Sequence, residues 1–334
     1  MRDNIAEFGG DPSRVMLFGQ SGGGAKFATL MAMPAGAGLF HAAATMSGQQ
    51  VTDAGPLHAA VRMAIFLGAV GLTPDRAGEL ASLPAQKLVE GLAAADPFTP
   101  GRLYFGPVLD QRSLQRHPFF PDAHPLGLKI PLILGNTHDE ARAFLAASKP
   151  DPFAMGWDEV AARIAPEMRV DIEPGYVVTQ YRRIYPHYSP SEVFFAAVTA
   201  GRSWRGQVIE AEERARAGAP AFVYQLDLPT TIEGGRLRAM HTADIALAFD
   251  NLAAPGSPYA PSPERQRVAE QLSGAFVALA RSGNPNHAEL PAWVPYELTR
   301  RATLVVDAQA RIVEDPRGEE RRLFAAVPYI QPGT

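Results

Sequence analysis

Apolar positions gather in short unbroken runs at residues 15–18, 38–48, 130–135, 221–227 and 303–307. Runs of this length, apolar at successive positions, suit strands of a parallel sheet covered on both faces. Between them the apolar residues recur every three or four positions, the spacing of helices that bury one side. That spacing predicts helices over residues 25–33, 61–70, 77–95, 157–164, 190–200, 208–217 and 264–282, with Pro34 stopping the first. Residues 2–8 are helix-like and lead into a Gly9-Gly10-Asp11-Pro12 turn, and residues 104–110 read as a short extended piece. Buried strands alternating with helices predict an α/β layered fold. No internal repeat, low-complexity tract or linker interrupts the pattern.

Composition narrows the function classes. The 334 residues are 46% hydrophobic and 20% charged, ordinary for a core-forming globular chain. A net charge of −4 without a basic run argues against a nucleic-acid partner. No apolar stretch approaches the length of a membrane span. The absence of cysteine excludes a disulfide framework, a thiol nucleophile and a thiolate metal site. Arginine greatly outnumbers lysine amid abundant Ala, Gly and Pro, a bias that points to a bacterium with a GC-rich genome. Composition leaves compartment and oligomeric state open.

The chemistry-bearing segment is Gly19-Gln20-Ser21-Gly22-Gly23, directly after the first apolar run and before the first helix. A serine at a sharp strand-to-helix turn between glycines is a nucleophile elbow, as in α/β-hydrolases. Side chains beside the serine are expected to collide with strand or helix, and the helix N-terminus favours developing negative charge. A serine hydroxyl attacks only if a base takes its proton and an acid orients that base. In such folds the chain order is serine, acid, histidine. Of the eight histidines, His41, His58, His117 and His124 come before any suitable acid. His138 lies beside the acid, His187 in a Pro- and Tyr-rich loop and His287 in a turn after the long helix. His241 remains. The strand at 130–135 is followed by Asp139-Glu140, and spacing alone does not choose between them, although Asp139 is also placed to cap a helix over 140–147.

These residues resemble type-B carboxylesterases, the family of bacterial para-nitrobenzyl esterases and cholinesterases. The similarity runs from Arg2-Asp3-Asn4-Ile5-Ala6-Glu7-Phe8-Gly9-Gly10-Asp11-Pro12, through Phe40–Gly48 and Phe105–Asp110, to Arg281–Asn286 and Leu290–Trp293. The resemblance implies an α/β-hydrolase fold, a mostly parallel central sheet with helices on both faces. It implies Ser21 as nucleophile, His241 as base and then acid, and Glu140 as the orienting carboxylate. It also implies Gly22 as an oxyanion-hole N–H donor and Ser47 as support for the acid. Asp244 falls at a usually acidic position and reads as structural. Gly22, Ala141 and Thr242 depart from the family pattern without removing a reacting atom.

The activity so implied is hydrolysis of small to medium carboxylic esters through an acyl-enzyme, with no metal or organic cofactor. A catalytically silent, adhesion-type relative and a lipase or amidase with the same triad are the other readings. The family's glycine-rich oxyanion loop and first strands lie upstream of the elbow. Residues 1–334 therefore read as the C-terminal portion of one such domain, lacking the N-terminal strands, and poor solubility or near inactivity is expected of it alone.

Overall fold

The apolar runs become the strands of one sheet in a computed structural model that describes residues 2–99 and 101–331. The strands are β1 (Met16–Gln20), β2 (Ala42–Met46), β3 (Leu132–Thr137), β4 (Ala221–Leu226), β5 (Ala302–Val306) and β6 (Arg311–Glu314). Their spatial order is their chain order. The first five are parallel, and β6 turns back antiparallel on β5. The helices are α1 (Gly22–Leu30), α2 (Pro56–Ala69), α3 (Ala85–Gly91), α4 (Glu140–Leu145), α5 (Trp157–Ile164) and α6 (Pro174–Ile184). After them come α7 (Pro190–Thr199), α8 (Arg205–Arg216), α9 (Asp244–Ala248), α10 (Pro263–Ser282) and α11 (Gly318–Ala325).

Alternation along the strands explains why the runs are apolar throughout. Leu132, Leu134 and Val223 pack on one face with Ala28 of α1 and Ala211 of α8. Ile133, Phe222, Tyr224 and Leu226 pack on the other with Val268, Leu272, Phe276 and Leu279 of α10. Side chains alternate between faces with period two, so two covered faces require apolar residues at every position. The α10 helix starts at a Ser262 cap that accepts from the Arg265 N–H at 3.2 Å and stops at Gly283, whose φ of 75° suits glycine. A separate helical core unites Val160 of α5, Val177 and Tyr181 of α6, Phe194 and Val198 of α7, and Phe324 of α11. No single helix among the described residues is long and apolar enough to cross a membrane.

Several boundaries differ from the sequence pattern. The first helix begins at Gly22, directly on the elbow, rather than three residues later. The segment predicted over 77–95 splits at Pro84 into a 3-10 stretch, Pro74–Ser82, and α3, because proline cannot continue the hydrogen-bond ladder. The helix read from 208 begins at Arg205, and a π-helical turn, Ala200–Trp204, joins it to α7. Asp139 precedes α4 but makes no capping bond, because its carboxylate pairs with Arg142 Nε at 3.0 Å and His138 Nδ1 at 3.4 Å.

Candidate active site

Three strand ends converge on one cavity. At the end of β1, Ser21 has φ 55° and ψ −125°, a backbone state that L-residues rarely occupy. Its N–H donates to the Met46 carbonyl at 2.7 Å, and its carbonyl accepts from Ala25 at 3.1 Å, so strand and helix both hold the turn. A Cβ on Gly19 would sit 2.8 Å from Gly23, one on Gly24 2.8 Å from the Gly19 oxygen, and one on Gly48 2.2 Å from the Ser21 oxygen. Gly22 and Gly23, by contrast, face open space; a Cβ on Gly22 would meet only Lys26 Nζ at 3.8 Å. The expected crowding beside the serine therefore falls on Gly19, Gly24 and Gly48. Gly22 opens α1, so its N–H has no intrahelical acceptor, and the residue lines the cavity with Ser21.

Beyond β3, Glu140 is wholly buried as the first residue of α4. One carboxylate oxygen bonds His241 Nδ1. The other accepts from Ser47 Oγ at 2.5 Å, the Thr137 N–H at 2.7 Å and Asn136 Nδ2 at 3.1 Å. Burial alone raises a carboxyl's pKa, but the bonds from His241, Ser47 and Thr137 outweigh it and hold Glu140 below its usual value. Glu140 is thus a carboxylate, and with Nδ1–H directed at it, His241 has Nε2 as its acceptor nitrogen, 2.9 Å from the Gln20 side-chain nitrogen.

The loop carrying His241 is fastened from several sides. The His138 N–H bonds the Leu226 carbonyl at 2.9 Å and the Asp139 N–H bonds the Ala239 carbonyl at 2.9 Å, tying the exit of β3 to the chain after β4. Tyr224 donates to buried Asp244 at 2.7 Å. Burial pushes the Asp244 carboxyl up to about 6. Gly135 leaves room for the Tyr224 ring, which a Cβ there would meet at 1.9 Å. Phe144 packs on the imidazole, ring centroids 4.6 Å apart. His117, His138 and His287 serve other loops, bonding the Asp53 N–H, Asp139 and the Gln271 carbonyl.

Ser21, Gly22, Ser47 and His241 line a common cavity of about 210 Å³, with Phe144 and Arg202 on its wall. Ser21 Oγ makes no hydrogen bond among the described residues. Such contacts are often long in enzymes without substrate. A strained, half-buried serine, a helix start and a carboxylate-bonded imidazole around one cavity are the arrangement that acyl transfer requires.

The profile of the carboxylesterase family matches residues 1–324. The chain belongs to the carboxylesterase family. It is 29% identical over 329 residues to the para-nitrobenzyl esterase of Bacillus subtilis (strain 168), covering 96% of this chain and 64% of that protein. It is likewise 29% identical to the phenmedipham hydrolase of Pseudarthrobacter oxydans, covering 94% of this chain and 63% of the relative. Among solved structures, the carboxylesterase EST55 of Geobacillus stearothermophilus superposes with a TM-score of 0.81 at 29% identity, over 97% of this chain and 66% of that one. The carboxylesterase chain thus shares the α/β-hydrolase fold while spanning less than two thirds of these relatives' length.

Several residues around this site escaped sequence reading. Asn136 and the Thr137 N–H sit within four residues of Glu140 at a strand exit and could have been singled out. Gln20 and Phe144 lie close to Ser21 and Glu140 in sequence, but nothing in their spacing aims them at the imidazole. Ser203 and Arg202, which line the cavity, lie in the π turn, where the helical period gives no guide.

Proposed function

We propose that this carboxylesterase fold acts as a serine carboxylic-ester hydrolase on small to medium esters. The observation that carries the reading is the buried Glu140–His241 pair opening on the same cavity as the strained Ser21 turn. Ser21 Oγ attacks the ester carbonyl carbon while its proton passes to His241 Nε2, and Glu140 stabilises the imidazolium. The tetrahedral oxyanion is met by the Gly22 N–H. Collapse expels the alcohol, which takes the proton from Nε2, and leaves an acyl group on Ser21. Water then attacks the acyl carbonyl with Nε2 as base, releasing the acid. Ser47, Asn136 and the Thr137 N–H hold the carboxylate that this cycle needs ionised.

Incubation with a fluorophosphonate, followed by peptide mass analysis, tests the reading. A single adduct on Ser21, abolished by Ser21→Ala and strongly slowed by His241→Ala, is the expected result. A folded protein that stays unlabelled, or is labelled equally in Ser21→Ala, would reject it in favour of a binding protein on the same fold.

A further inference from the structure

Among the described residues, Arg202 is the one permanently ionised side chain on the wall of the Ser21 cavity. The rest of the wall is glycine, alanine, aromatic rings, neutral amides and hydroxyls, with the His241 imidazole. Its guanidinium carbon lies 5.4 Å from the Phe144 ring centroid, and that ring lies 4.6 Å from the His241 ring. These two legs bound its separation from the imidazole at about 10 Å. One nitrogen, Nη1, pairs with Glu167, which is not part of the cavity wall. Nε and Nη2 make no hydrogen bond to the described residues.

The surroundings leave a surplus of positive charge. Arg169 stands beside Arg202 and Glu167, with its Nε buried and without a partner. Burial, and then repulsion from Arg202, lowers its pKa. Glu167 pairs with Arg202 and acts on Arg169 only through space, so among the described residues the two guanidiniums outnumber the carboxylate paired with them. The backbone is also arranged to present the residue. Arg202 sits in the π turn Ala200–Trp204, where the widened spiral interrupts the helical register between α7 and α8. π turns are rare and concentrate at functional sites.

We propose that Arg202 makes this cavity selective for esters bearing a second, anionic group such as a carboxylate, placed several bonds from the scissile carbonyl. The proposal rests on the ester-hydrolase reading and specifies its substrate class. A planar guanidinium with free donors matches a carboxylate through paired hydrogen bonds, and the neighbouring aromatic ring limits its wandering. The anion can belong to the alcohol or to the acyl part, and matched substrates separate the two.

The experiment compares kcat/KM for 4-acetoxybenzoate against its methyl ester, an anion on the alcohol side. Monomethyl adipate against dimethyl adipate places the anion on the acyl side. The expected result is that the anionic-to-neutral ratio falls about tenfold in Arg202→Gln for at least one pair, mainly through KM, and is partly restored in Arg202→Lys. The responding pair identifies the side. The wild-type ratio should also fall as salt rises from about 20 to about 500 mM. A ratio indifferent to Arg202→Gln in both pairs overturns the proposal; should that variant not fold, a salt-indifferent wild-type ratio does so. If no ester is turned over, the hydrolase reading fails separately. Calorimetric titration with 4-hydroxybenzoate then decides: saturable binding weakened in Arg202→Gln or by salt supports the anion site, and no binding overturns it.

Discussion

The side-chain nitrogen of Gln20 lies 2.9 Å from Nε2 and 3.3 Å from Nδ1 of His241. Near-equal reach to both ring nitrogens is possible only over the imidazole face, not along the in-plane lone pair of Nε2. The amide therefore rests on the ring and leaves the lone pair free, as the proposed proton transfer from Ser21 requires. A carboxylate at that place would favour the protonated ring. Gln20→Glu should move the acid limb of the kcat/KM profile for a neutral ester up by about one pH unit. An unmoved limb would mean that residue 20 has no electrostatic hold on the base.

Ser47 and Glu140 make a second pair open to test. Ser47→Ala removes one of three donors to the same carboxylate oxygen, while the Thr137 N–H and Asn136 remain. One bond lost from a still-satisfied carboxylate predicts a three- to tenfold fall, roughly, in kcat/KM. Glu140→Gln is a different change: its amide can present N–H to Nδ1 and force the wrong tautomer. Its expected loss is about 10³–10⁴-fold in kcat. Rates on a neutral ester measure both, and comparable losses would show that Ser47 does more than support the acid.

How much of this was legible in the sequence follows from which forces are local. The parallel strands of the sheet could be read because two covered faces impose unbroken apolar runs, and Ser21 because the elbow is a local turn. By contrast, α6 leaves little trace in the pattern. Only Val177 and Tyr181 of it are buried, within a polar segment rich in Arg and Tyr, so its apolar stripe is thin. The edge strand β6 alternates too briefly, with both ends exposed, to register. The local pattern also places Asp139 as a cap, and ion pairing with Arg142 prevails instead. Arg202 is invisible to the pattern because a π turn has no periodicity signature.

The glycines around the elbow divide into two kinds that stability can separate. Gly48→Ala would drive a Cβ to 2.2 Å from the Ser21 carbonyl and 2.7 Å from Gly24 Cα, both backbone atoms. Backbone cannot yield as a flexible side chain can, so the strand–turn–helix junction must shift. Destabilisation of about 3 kcal/mol or more, or failure to fold, is expected. Gly22→Ala meets only the mobile tip of Lys26, and alanine suits a helix better than glycine, so Tm should hold or rise slightly. Thermal unfolding of both variants checks the contrast, and equal losses would refute the crowding argument.

Glu210 gives the fold a pH dependence of its own. It sits fully buried in α8, with one oxygen accepting the Gln50 N–H at 2.5 Å and the other without a partner. Burial pushes its carboxyl up to about 8, against the pull of the Gln50 bond and of Arg214. The folded state thus keeps a proton that the unfolded chain gives up near pH 4.5, the ordinary value for this group. Wherever the folded state binds more protons, stability falls as pH rises. The loss should begin near pH 4.5, grow to a few kcal/mol, and level off above about pH 8. Glu210→Gln keeps an oxygen for Gln50 and cannot ionise, so its urea-unfolding free energy should decline less between about pH 5 and 9. A difference between wild type and variant that stays constant across that range would rule Glu210 out as the source.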